Sequence, residues 1–226
     1  MRVGIHQPMY LPWLGLLDRI AQCDLFILLD NVCYSKNYFL NRNKIKTATG
    51  WIWLTIPVLT KGDSNKIIKD VEIDNKNDWC KKHWMSLYYS YKNSPYYNNY
   101  SEYFENYYQR EWRYLVEAIS EMMHYLLKVL NIKTRIIMAS SLGVSGKKED
   151  LILNICNIVQ ADEYLSGPDG RNYLNLDLWE KNKIRVVFHE YQHPAYRQLH
   201  GNFMPLLSVI DLLFNCGPES LGILRN

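Results

Sequence analysis

The chain has 226 residues, 48% of them hydrophobic, which suffices for one sizeable core and predicts a single domain over residues 1–226. Its formal net charge of +3 is scattered rather than blocked, too mild to argue for DNA or RNA but suited to an anionic small substrate. The five cysteines (Cys23, Cys33, Cys80, Cys156 and Cys216) are odd in number and form no C-x-x-C pair, so neither a disulfide scaffold nor a metal site is expected.

No apolar run reaches the roughly 18 residues that cross a bilayer, and no secretory leader pattern opens the chain. The expectation is a soluble, cytoplasmic protein. Its 18 tyrosines and 7 tryptophans suit stacking on a base or sugar, though packing is the commoner use of aromatic rings.

Val3 to Ile5 reads as a buried strand stopped at Gln7-Pro8. Leu14, Leu17 and Ala21 follow at helical spacing, with Pro12 placed for a first turn and Gly15 permitting close approach of backbone. Leu25 to Leu29 is an unbroken apolar run, the pattern of a central parallel strand, and Asp30 stands just past it. Residues 31–49 turn polar and read as a loop. Trp51 to Val58 and Val71 to Ile73 read as strands separated by the turn-rich stretch Thr60 to Asn65.

Helices are expected over about 77–92 and 98–108, broken at Asn93-Ser94-Pro95. The clearest helical period runs through Trp112, Leu115, Val116, Ile119, Met122, Met123, Leu126 and Leu130. A strand from Thr134 to Ala139, a loop to Gly146 and a helix buried through Leu151, Ile152, Ile155 and Val159 come next. Tyr164-Leu165 and Ile184 to Phe188 are further strands, with a short helix over 175–182 between them and a last helix from Leu206 to Phe214. Strands alternating with helices predict an α/β fold with a mostly parallel sheet flanked by helices and a helical insertion around residues 77–130.

In such folds ligands bind at the carboxyl ends of the strands, and that edge gathers the chemistry here. His6 is suited to proton transfer near neutral pH, and Gln7 can orient a polar substrate. The alternative is that both satisfy backbone groups in a tight turn. Asp30 can act as a base or hold a hydroxyl, while Lys36 and Arg42 can hold phosphate. A solvated basic loop is the competing reading, and it is preferred for Lys44 and Lys46.

The loop 140–148 precedes a helix, where backbone amides with Ser145 and Lys147 could bind an anion. It lacks the spacing of a Walker A loop, and Ser145 could equally be a helix cap. Ser166 stands at a strand end before two glycines, in what could also be a plain turn. His189 and His193 are four apart, but Pro194 argues against the helix that would align them as metal ligands.

The residues Ile5-His6-Gln7-Pro8, Tyr10-Leu11-Pro12-Trp13-Leu14-Gly15, Tyr34-Ser35-Lys36 and Asn41-Arg42-Asn43-Lys44-Ile45 resemble the WbqC-like family. Tyr164-Leu165-Ser166-Gly167, His193-Pro194-Ala195-Tyr196-Arg197-Gln198 and Ser208 to Gly217 carry the same resemblance, which spans residues 1 to about 217. It implies a part in bacterial O-antigen or related surface-glycan synthesis, where amino sugars are built on nucleotide carriers. The opening is also distantly similar to nucleotidylyltransferases on a Rossmann-like sheet. Their H-x-G-H motif is absent, because Tyr10-Leu11-Pro12-Trp13-Leu14-Gly15 stands in its place.

The expected function is therefore N-acylation or aminoacylation of the amine of a nucleotide-linked amino-deoxy sugar. His6 or Asp30 would take the proton. Gln7, Tyr10, Trp13, Lys36, Arg42, Asn43, Ser145, Lys147, Ser166 and His193 would bind substrate. The donor stays open between acyl-CoA and an activated amino acid, as does the use of ATP. Nucleotidyl transfer, ATP-dependent activation and non-catalytic binding of a nucleotide sugar are the alternatives.

Overall fold

The computed structural model describes residues 1–36, 38–60 and 65–225. From the start, β1 (Arg2–His6) leads through α1 (Leu14–Ala21) to β2 (Leu25–Leu28). A hairpin of β3 (Arg42–Thr47) and β4 (Gly50–Thr55) follows, then the short pair β5 (Val58–Leu59) and β6 (Glu72–Ile73). The stretch expected to be helical contains α2 (Trp79–Tyr91), α3 (Tyr97–Gln109) and α4 (Leu115–Val129). The chain then runs through β7 (Arg135–Met138), α5 (Lys148–Ile158), β8 (Glu163–Ser166), α6 (Leu176–Lys181) and β9 (Arg185–Phe188) to α7 (Val209–Cys216) and α8 (Ser220–Leu224).

Five strands form one sheet in the order β7-β2-β1-β8-β9, and every neighbouring pair is parallel. β1 is central because it alternates between two buried faces. Val3 and Ile5 pack with Leu25, Ile27, Leu151, Ile155 and Trp179 on one side of the sheet. Phe26, Leu28 and Leu165 pack with α1 and the α2–α4 helices on the other. Gly4 shares that second face, where a Cβ would fall 2.6 Å from the Phe26 ring.

The polar tract expected to be a loop instead contains β3. Its Asn43 and Lys46 are buried because each has a partner, not because the strand is apolar. Asn43 donates to the Leu11 carbonyl at 2.5 Å, and Lys46 Nζ reaches Gln198 Oε1 at 3.0 Å and the Asn202 carbonyl at 2.6 Å. The expected strand through Val58 divides into β4 and β5. Of the expected loop Thr60 to Asn65, residues 61–64 lie outside the described residues. The last long helix starts at Val209 rather than Leu206, because the Ser208 hydroxyl caps it by accepting from the Ile210 amide at 3.3 Å.

Asp211 on α7 is fully buried between two tyrosines. Tyr91 donates to its Oδ1 and Tyr196 to its Oδ2, each at 3.0 Å. Burial raises its carboxyl from 3.8 to about 6, against those two hydrogen bonds. A raised folded-state value means that the contribution to stability is complete below pH 3.8 and is lost as pH rises through about 6. Asp211→Asn should therefore gain on the wild type as pH rises from 4 to 7.5, by up to about 3 kcal/mol. Urea denaturation across that range checks it, and a pH-independent difference would refute it.

Candidate active site at the switch between strands β1 and β8

Counting only the five sheet strands in chain order, the spatial order is 3-2-1-4-5, so the winding reverses between β1 and β8. The crevice outside the strand ends at such a reversal is where ligands bind in doubly wound folds. Here β1 ends at His6 and β8 at Ser166, with Gly167 next in the chain, and the pairing of Gly4 with Leu165 sets the two strand ends side by side.

His6 Nδ1 lies 2.8 Å from the Gln7 carbonyl. A carbonyl only accepts, so Nδ1 carries the hydrogen and Nε2 keeps its lone pair. Burial first and the Arg19 guanidinium second push the imidazole down from 6.5 to about 4. At neutral pH this is a neutral ring whose Nε2 is an acceptor. Gln7 beside it is half-buried.

Helix α1 descends from this edge with all residues from Leu14 to Ile20 buried, Asp18 and Arg19 among them. Asp18 Oδ2 bonds His189 Nε2 at 2.7 Å, fixing α1 to the residue just past β9. Tyr191 stacks parallel to the His189 ring at 6.0 Å and meets Trp13 edge-on at 5.6 Å. Its buried hydroxyl has no hydrogen-bond partner. The bare face of Gly15 is occupied by the chain's own Trp13, whose ring lies 2.1 Å from where a Cβ would stand. The glycine thus serves this close approach, not the approach of a ligand.

The other residues expected to bind substrate are dispersed. Ser166 is buried beside the crevice, its hydroxyl 3.0 Å from the Gly167 carbonyl. Tyr10 is a core residue, with no exposed surface and its hydroxyl bonded to Tyr108 and, at 2.9 Å, to His83 Nδ1. Asn43 is equally enclosed and holds Leu11, whose φ of 47° is left-handed. Asp30 is buried and accepts from the Ser140 amide at 2.8 Å and the Ser140 hydroxyl at 2.6 Å. Its carboxylate thus ties β2 to the loop after β7.

Ser145 and Lys147 are exposed on that loop, and α5 starts without a side-chain cap. β7 stands two strand positions from β1, about 10 Å at ordinary strand spacing. His193 is satisfied within its own loop, donating from Nδ1 to the Pro194 carbonyl at 2.9 Å and accepting the Leu206 amide at Nε2, 3.2 Å away. Lys36 and Arg42 do come together, lining a groove of about 460 Å³ with Tyr34, Asn41 and Thr60. Arg42 also lies over the Trp53 ring at 4.5 Å.

Sequence reasoning missed Asp18, Arg19 and Tyr191. In the helix that reads Leu-Gly-Leu-Leu-Asp-Arg-Ile-Ala, Gly15, Asp18 and Arg19 share one side and the apolar residues the other, the pattern of a solvated polar face, so the sequence carries no signal for their burial. Among the described residues no three His, Cys, Asp or Glu side chains gather as a metal site, and no helix is long and apolar enough to cross a membrane.

The parallel sheet and its winding order define a Rossmann-like α/β protein. Residues 7–223 match the model of the WbqC-like protein family, and the chain belongs to that family. It is 34% identical over 226 residues to the uncharacterized protein Rv1507c of Mycobacterium tuberculosis, a match covering 99% of this chain and 97% of that one. No solved structure matches the chain.

The Asp18–His189 contact yields a stability prediction. Asp18→Ala should cost about 3 kcal/mol by stranding a buried histidine. Added to His189→Ala, it should cost less than the two single losses combined, with a coupling of about 1–3 kcal/mol. A double-mutant cycle by guanidinium denaturation measures this, and strict additivity would show that the contact carries no weight.

Proposed function

We propose that the protein is a transferase that acylates or aminoacylates the amine of a nucleotide-linked amino-deoxy sugar, with the crevice at β1 and β8 as its active site. The observation that carries this reading is His6, a neutral histidine at the topological switch whose Nε2 is left as an acceptor. The neutral amine attacks the acyl carbon, a C–N bond forms, and the bond to the donor's leaving group breaks with its electron pair. The proton leaving nitrogen goes to His6 Nε2. Gln7 orients the substrate, and the Lys36–Arg42 groove can hold an anionic part of it. The surface-glycan setting rests on the family resemblance, and the donor remains an acyl-CoA or an activated amino acid.

The test is incubation of the purified protein with a panel of nucleotide-linked amino sugars and both donor classes, read by mass. A product heavier by the acyl or aminoacyl group is expected. His6→Ala should lower kcat by about 100-fold or more while the sugar still binds. Because protonation of His6 removes the base, its share of the pH dependence of kcat/KM should be a fall near 4, below the fall set by protonation of the substrate amine. Binding without turnover under any donor would replace the proposal with a carbohydrate-binding role. Release of AMP or pyrophosphate from a nucleotide would replace it with an activating or nucleotidyl-transfer enzyme.

A further inference from the structure

Arg19 has no evident role in holding the fold together. It is 5% exposed, and its Nε is buried without a hydrogen-bond partner. No described residue gives its side chain a carboxylate; its guanidinium carbon lies 5.5 Å from the centre of the Phe26 ring. The ionisable groups that bear on its charge are Tyr164, Cys23 and Tyr173, with His6 beside them. An unpaired buried cation is strongly disfavoured, and Asp18, the neighbouring acid, is committed to His189 and Gln22.

The position of this charge is specific. Its Nη1 lies 2.6 Å from where a Cβ on Gly167 would stand, so the bare glycine at the end of β8 is what lets the guanidinium reach the switch point. Tyr191, also packed beside α1 against Trp13 and His189, adds a second buried polar group without a partner. The Trp13 ring lies over Gly15 in the first turn of α1, crowding the helix start that phosphate loops use for anions.

We propose that Arg19 is the phosphate-binding group of the crevice, its guanidinium held unpaired until a phosphate oxygen of the substrate completes it. An arginine fork suits two phosphate oxygens at once. The inference rests on the crevice being the ligand site but not on the reaction performed there.

Inorganic pyrophosphate and inorganic phosphate are the probes, with acetate as the carboxylate arm and sodium chloride as the ionic-strength control. Calorimetric titration and thermal shift of the full chain should show saturable pyrophosphate binding to the wild type. Arg19→Gln should weaken it at least tenfold, with the melting temperature of the free protein unchanged or raised because a buried unpaired charge is gone. Arg19→Lys should recover part of the affinity. Gly167→Ala, which displaces the guanidinium by its added methyl, should also weaken binding and guards against an Arg19→Gln chain that does not fold.

Wild-type affinity in both Arg19→Gln and Gly167→Ala would overturn the proposal. So would the absence of anion binding by the wild type, or stronger binding of acetate than of either phosphate probe. A large loss of melting temperature in unliganded Arg19→Gln would assign Arg19 to the fold instead. Because these readouts need no turnover, pyrophosphate binding through Arg19 without any acyl product would sink the transferase reading alone. An acyl product from a chain whose Arg19 variants bind normally would sink this one alone.

Discussion

The burial of α1 is the constraint on which the rest of the structure depends. This helix has eight residues, seven of them buried, and it lies between the sheet and the chain that follows β9. Leu14, Leu16, Leu17 and Ile20 fill the shared core, which leaves Asp18 and Arg19 enclosed as well. Asp18 is answered by His189, and that bond pins the helix to the far side of the switch point. Arg19 is not answered within the described chain. One helix thus carries both the brace across the switch point and an unpaired charge beside it.

The loop from β1 to α1 explains why this protein differs from glycine-rich dinucleotide binders of similar winding order. Met9, Tyr10 and Leu11 are buried, Asn43 holds the Leu11 carbonyl, and the Val209 amide bonds the Pro12 carbonyl at 2.9 Å. The connection is a piece of core joining the sheet to β3 and α7. Its tyrosine and tryptophan look like ligand contacts because they sit beside the strand end. Tyr10, however, spends its hydroxyl on His83 and Tyr108, and Trp13 covers its own Gly15.

These particulars explain what the sequence could and could not reveal. The parallel strands were legible because Val3 to Ile5 and Leu25 to Leu28 are apolar on both faces. The α4 helix was legible because its apolar period has no competitor. β3 was not, since Asn43 and Lys46 are buried through partners far along the chain, at Leu11, Gln198 and Asn202. His6 could be placed at the ligand edge from the strand that ends there. Arg19 could not, because a charged residue in a short helix is read by default as solvated. Its place beside Gly167 depends on a pairing of strands separated by more than 150 residues of chain.

The two groups at the crevice act on each other. A base works best when its pKa lies near the operating pH, and His6 at about 4 lies well below neutrality. Burial is the larger cause and Arg19 the second. A phosphate resting on Arg19, as proposed, would offset that second cause and add a negative charge near the ring, so the proton affinity of His6 would rise. Linkage requires the converse: a protonated His6 holds the same phosphate more tightly. The burial contribution stays in place, which limits how far the shift can run. With Arg19 unpaired, His6 stays neutral and weakly basic, and a phosphate bound as proposed would raise its basicity.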